Sequence, residues 1–152
     1  MRLRSDDWME LSGGNGWRRL RLRPLRRLGE GRVEVQVLLE RQSWASADSE
    51  RLQVKSRLSF RLDLDLEACR QASVRLASLV QGVTGRVSAR LGAAYDRFDV
   101  ELQPGESEGT YAVQVQIGIS SVQSRAIIPT DIAGIDRLEH HLAALWQRCD
   151  IV

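Results

Sequence analysis

The side chains equipped to act on a substrate are few: His140 and His141, Cys69 and Cys149, the acidic pairs Asp63/Asp65 and Asp99/Glu101, and Ser107 within Gly105-Glu106-Ser107-Glu108-Gly109. Histidine titrates near neutrality, which suits it to proton transfer or metal ligation. The two here are adjacent in a helical pattern, where neighbours diverge by about 100° around the axis. They cannot both point into one site: His141 should flank the apolar stripe and His140 should face away. Two histidines also fall short of a three-histidine zinc site. Cys69 and Cys149 fall on apolar stripes, where a thiol serves as a small buried hydrophobe rather than a nucleophile. Asp63 and Asp65, like Asp99 and Glu101, are two apart and share a strand face, the spacing that acid/base work or a metal would use. Asp65, however, is better placed as a helix cap, and Asp99 and Glu101 occupy solvated strand positions. The Gly-x-Ser-x-Gly string matches a nucleophile elbow, but that motif needs a strand-to-helix turn. Here a strand pattern follows from Tyr111, so a polar hairpin tip is expected. Gly13-Gly14-Asn15-Gly16 lacks the Lys-Ser/Thr of a phosphate loop. No catalytic residue, metal ligand or cofactor is expected, and the chain does not read as an enzyme.

What remains is charge and recognition. The chain has 22 basic and 20 acidic residues, a formal +2, and Lys55 is its only lysine. Residues 1–32 hold nine Arg against four acids. The densest run carries Arg18, Arg19, Arg21, Arg23, Arg26 and Arg27. An arginine fork pairs bidentately with carboxylates and stacks on aromatic rings. Two partner classes follow. One is a protein docking on a polar sheet face that presents Arg19, Arg21, Arg23, Arg57, Arg61, Gln114 and Gln116, with Gln36 and Gln53 beside them. The other is nucleic acid on the same arginines and Lys55, with Trp8, Trp17 and Tyr111 available for stacking. Glu34, Asp63, Asp99 and Glu101 oppose the second by forming cross-strand ion pairs, such as Arg26 with Glu34.

The elements that must hold these side chains are legible from their periods. Leu52, Val54, Leu58, Phe60, Leu62 and Leu64 alternate with polar residues, with Ser56 filling the gap, a period of two that marks a long half-buried strand. Further strands follow around Trp8–Leu11, Arg19–Arg23, Val33–Leu39, Val87–Leu91, Phe98–Leu102, Tyr111–Ile119 and Val122–Ile128, the last ending at Pro129. Gly29-Glu30-Gly31 and residues 104–109 are turn sequences, and residues 44–50 suggest a longer loop or bulged edge. Leu66, Cys69, Ser73, Leu76 and Val80 make one helical stripe, capped by Asp65 and stopped at Gly82. Ile132, Ile135, Leu138, Leu142, Leu145 and Cys149 make another, with Thr130 or Asp131 as cap and Arg148 in the last turn. The expected architecture is a single α+β domain over residues 1–152. Its mostly antiparallel sheet of about seven or eight strands has two amphipathic helices covering one face, in strands-helix-strands-helix order.

No apolar run approaches the roughly 20 residues a membrane-spanning helix needs, and the first residues lack a signal-like apolar core. A cytoplasmic protein with reduced thiols and no membrane partner is expected. Edge strands near Trp44 or Val122 leave a homodimer open.

The strand Leu58–Leu64 running straight into a helix at Leu66–Cys69, the break at Gly82–Gly85, the Tyr111–Ile117 strand and a closing helix carrying Leu138, Leu142 and Leu145 resemble the WapI-type bacterial immunity proteins and their relatives. The resemblance spans roughly residues 30–148. It implies a cytoplasmic antitoxin that binds and neutralises a cognate toxin domain by covering its active site, with charged pairs setting specificity and on-rate.

Overall fold

Among the described residues eight strands and two helices form where the two periods place them. In the computed structural model, which describes residues 8–12, 18–47, 50–82 and 85–147 (side chains excepted at 42–47 and 50–54), the strands are β1 (Met9–Ser12), β2 (Arg18–Leu28), β3 (Arg32–Ala47) and β4 (Glu50–Asp65), followed by helix α1 (Leu66–Val80). Then come β5 (Val87–Arg90), β6 (Asp96–Pro104), β7 (Thr110–Ile119), β8 (Val122–Asp131) and helix α2 (Ile132–Gln147). All strand pairs are antiparallel and sequential. The α+β class and the element order are as expected from the sequence.

The layering differs. Instead of one sheet of seven or eight strands, the chain builds two four-stranded sheets, β1-β2-β3-β4 and β5-β6-β7-β8. The physical cause is at Asp65. β4 passes directly into α1, so β5 has no tight turn through which to add to β4 as its next neighbour. Among the described residues the two sheets share one backbone bridge, Leu64 with Gly92, flanked by Asp65 N–H to Leu91 O and Ala93 N–H to Asp63 O, both 2.8 Å. Gly92 is needed there, because a Cβ would sit 2.2 Å from the Asp96 carbonyl oxygen. The helices pack on each other, α1 also meeting β4 and β5 and α2 meeting β1 and β8. They therefore do not cap one face of one sheet. They complete a single core to which both sheets contribute, including Leu22, Val35 and Leu62 from the first, Phe98, Val115 and Ile128 from the second, and Leu76 and Leu138 from the helices.

Local chemistry sets the ends. Asp65 Oδ1 accepts the Glu67 and Ala68 N–H groups at 2.9 and 3.2 Å and caps α1. Gly82 ends it at φ 79°, a conformation glycine adopts without steric cost. Of the two candidate caps for α2, Asp131 does the work, accepting Gly134 N–H at 2.9 Å. Leu79 rather than Val80 closes the buried stripe of α1, and Ile132 is 38% exposed rather than part of the core. Residues 44–47 and 50 form no loop. They continue the β3–β4 hairpin to the pair Ala47–Glu50. β8 runs past Pro129 to Asp131, which an edge strand tolerates. Among the described residues no helix is long and apolar enough to cross a membrane. Gly13–Gly16, Trp17, Arg148 and Cys149 lie outside the described residues.

Candidate functional site

Among the described residues no helix covers the outer face of the first sheet. Alternation aims Arg19, Arg21 and Arg23 of β2, Glu34, Gln36, Leu38 and Glu40 of β3, and Arg57, Ser59 and Arg61 of β4 to that side. Register assembles them into rows: Arg19–Glu40–Arg57, Arg21–Leu38–Ser59 and Arg23–Gln36–Arg61. Glu40 is the hub. Its carboxylate accepts Arg19 Nη2 at 2.6 Å and Arg21 Nη1 at 3.3 Å, with Arg57 Nε 3.8 Å away. Arg19 also reaches Glu10 at 3.1 Å. The Arg19 hydrogen bond holds the Glu40 carboxyl below the usual carboxylate range and raises the Arg19 guanidinium in turn. The expected Arg26–Glu34 pair forms at 3.4 Å.

The other end of the face is built differently. Arg23 Nε donates to Gln36 Oε1 at 2.8 Å, and Gln36 Nε2 donates to Ser59 Oγ at 3.1 Å. Trp8, one residue before β1, brings its ring against two guanidiniums, with Arg21 Cζ and Arg23 Cζ each 4.7 Å from the centroid. Such contacts contribute about 0.5–1 kcal/mol each where exposed. Arg61 makes no ion pair among the described residues. Leu38 is only 3% exposed although it points to the polar side and stands apart from the main core. Aliphatic stems of long neighbours such as Arg21 can cover an apolar residue in this way. Among the described side chains the face is thus an arginine lattice with one buried leucine, Leu38, and one aromatic ring, Trp8.

Gln114 and Gln116 do not join it. They lie on the outer face of the second sheet, over a cavity of about 260 Å³ shared with Ser88, Arg90, Arg97, Asp99, Glu101 and Arg125. The seven residues expected on one surface therefore divide five and two between two sheets, a consequence of the break at α1. Tyr111, expected as a stacking residue, packs against the core instead.

The residues considered for catalysis do not converge. Cys69 is fully buried, and burial, aided by the Asp65 charge, pushes its thiol up to about 12. Asp63 lies 3.6 Å from Arg32 Nη1, its backbone N–H donating to Asp96 Oδ2 at 2.7 Å. Asp99 accepts Arg97 Nε at 2.8 Å. Ser107 sits in the β6–β7 turn, where its carbonyl accepts the Thr110 hydroxyl at 2.6 Å, so the Gly-x-Ser-x-Gly string is a hairpin tip. His140 is exposed, with Nδ1 2.8 Å from the Asp136 carbonyl oxygen. That contact, then the Glu139 and Asp136 charges, raises its pKa. Asp136, Glu139 and His140 bring ligand-type atoms within 4.8 Å of one another, on a solvated turn of α2.

Sequence reasoning missed Glu40, which organises three arginines. Its signal was the register of two hairpins, which places Glu40 between Arg19 and Arg57.

No protein-family model and no curated protein matches the chain. Among solved structures, MRP1/MRP2 of Trypanosoma bruciei align at a TM-score of 0.48 with 17% identity, over 91% of this chain and 82% of theirs. A guide-RNA-binding protein complex bound to a gRNA aligns at 0.46 with 16% identity, over 86% and 79%. Likenesses this loose decide neither fold nor ligand.

Proposed function

We propose that the chain is a non-enzymatic binding module that takes single-stranded nucleic acid on the outer face of the first sheet. The observation that carries this reading is Trp8 with Arg21 and Arg23 against its ring, on a sheet face left uncovered by either helix. A base stacks on an aromatic or guanidinium plane whatever its identity, and the flanking cations meet the phosphates. Gln36 and Ser59 supply neutral donors and acceptors beside Arg23. A broad sheet face suits unpaired bases, which can splay flat against it, better than a duplex whose base edges lie in grooves.

The test is fluorescence anisotropy with labelled oligo(dT) and oligo(U) of about 20 nucleotides, a length above most single-fold site sizes. Salt-sensitive binding is expected, weakened by Trp8→Ala and by Arg21→Glu with Arg23→Glu. No binding to either oligonucleotide at low salt overturns the reading. It would return this face to a protein partner, the toxin expected from the immunity-protein resemblance.

A further inference from the structure

A second recess opens where the start of β2 and the middle of the β3–β4 hairpin meet the edge strand β8. Its volume is about 310 Å³, and Arg18, Arg41, Arg125, Leu39, Leu58 and Ser124 line it. Arg18 and Arg41 are register partners, two residues beyond the core pair Leu20–Leu39 on the same side of the sheet. Arg18 Nη1 donates to the Ile127 carbonyl of β8 at 3.1 Å and so ties the sheets together here. Arg125 comes from β8 itself, with Nη2 3.4 Å from Gln116 Oε1.

The electrostatics of this recess differ from those of the open face. Among the described residues, none of Arg18, Arg41 and Arg125 makes an ion pair. The one acid at the recess, Glu40, has its carboxylate committed to Arg19, Arg21 and Arg57. Arg18 and Arg41 thus share a recess with Leu39, Ala126 and Leu58, the last 44% exposed, and Arg125 stands at its rim with its guanidinium turned toward Gln116. Like charges beside apolar walls repel one another unless an anion joins them. Planar guanidinium forks match phosphate oxygens bidentately.

We infer that this recess is a phosphodiester-binding groove that holds the backbone of the strand and leads it from the first sheet toward the second. The inference rests on the nucleic-acid reading above. Arg125 lines both the groove and the cavity over the second sheet. A strand seated in the groove therefore continues onto Gln114 and Gln116, which the open face of the first sheet leaves unused.

The experiment is the salt dependence of oligo(U) binding to the full chain, as the slope of log K against log salt. Each phosphate contact on a single strand contributes about 0.7 to that slope. Arg41→Gln and Arg125→Gln, both at exposed positions, should each flatten it by about 0.7 and together by about 1.4. Trp8→Ala should weaken binding and leave the slope unchanged. Wild-type slope in the double variant, with binding still weakened by Trp8→Ala, overturns the groove and leaves the stacking face standing. If the wild type binds no oligonucleotide, the parent reading falls, and tripolyphosphate is the second probe. Shifts of the Arg18, Arg41 and Arg125 side-chain resonances, abolished by Arg41→Gln, support the groove as an oxyanion site. Unmoved resonances overturn it.

Discussion

The open face of the first sheet and the recess between the sheets are both arginine-rich, yet they hold their arginines differently. On the open face Glu40 binds Arg19 and Arg21 and draws in Arg57, and Glu10 adds a second contact to Arg19. In the recess Arg18, Arg41 and Arg125 pair with no carboxylate among the described residues, Glu40 there being held by Arg19, Arg21 and Arg57. The difference shows that counting arginines misjudges where positive potential lies. On the open face much of the charge is spent on holding the lattice in register, and what it offers a ligand is the Trp8 ring and the less engaged Arg23 and Arg61. In the recess Arg18 and Arg125 are held by neutral acceptors, which leave their charge in place. The first region should contribute stacking, and the second salt-sensitive attraction.

The sharpest way to break this comparison is to reverse the charge around the ring. Arg21→Glu with Arg23→Glu removes both cations from Trp8, and oligonucleotide affinity should fall by about 100-fold or more, a loss of roughly 3 kcal/mol, combining the stacking and phosphate terms. Anisotropy titration reads it, and an unchanged affinity would place the ligand elsewhere.

Next in size is Gly92→Ala. It forces a Cβ against the Asp96 carbonyl at the only bridge between the sheets among the described residues. A stability loss of about 1–3 kcal/mol is expected from denaturant melts. Because the bridge sets how the sheets meet, salt-slope changes should exceed any change in the effect of Trp8→Ala.

Glu40→Gln is smaller and of opposite sign for binding. It releases Arg19, Arg21 and Arg57, so affinity should rise a few-fold with a steeper salt slope, while stability falls by about 0.5–1 kcal/mol for a partly exposed cluster. The same group gives a pH signature. Glu40 has its pKa lowered in the folded state, so its stabilisation is present above the unfolded carboxyl value and is lost as pH falls through the folded one. Acid melts of the wild type should show this loss, and those of Glu40→Gln should show less of it.

The smallest effect concerns the core beneath both regions. With burial pushing its thiol up to about 12, Cys69 should resist alkylation at pH 8 in a Cys149→Ser variant and react only on unfolding. Rapid labelling in the native state would mean that the shared core is looser than described.

The comparison also explains what could be read in advance. Alternation along Leu58–Leu64 and Tyr111–Ile119, the 3–4 spacing in both helices, the Asp65 cap and the Gly29–Gly31 tip are local signals, and each lies where sequence placed it. So does Arg26 with Glu34, because a short hairpin fixes its own register. The division into two sheets was not legible. Whether β5 pairs beside β4 depends on where α1 returns the chain, a tertiary outcome that no strand's pattern encodes. That misplacement put Gln114 and Gln116 on the wrong surface and Tyr111 among the stacking residues. The recess was not legible for the same reason: Arg18 and Arg41 meet Arg125 only once two separate meanders are packed together.

Base stacking on the first sheet depends on Trp8. Titration of isotope-labelled protein with oligo(U), following the indole Nε1–H resonance of Trp8 assigned through Trp8→Phe, tests it most directly. The predicted result is a large, saturating shift of that resonance with the same affinity as anisotropy reports, together with shifts of the Arg21 and Arg23 side chains. A Trp8 resonance that stays in place while the oligonucleotide binds would contradict it.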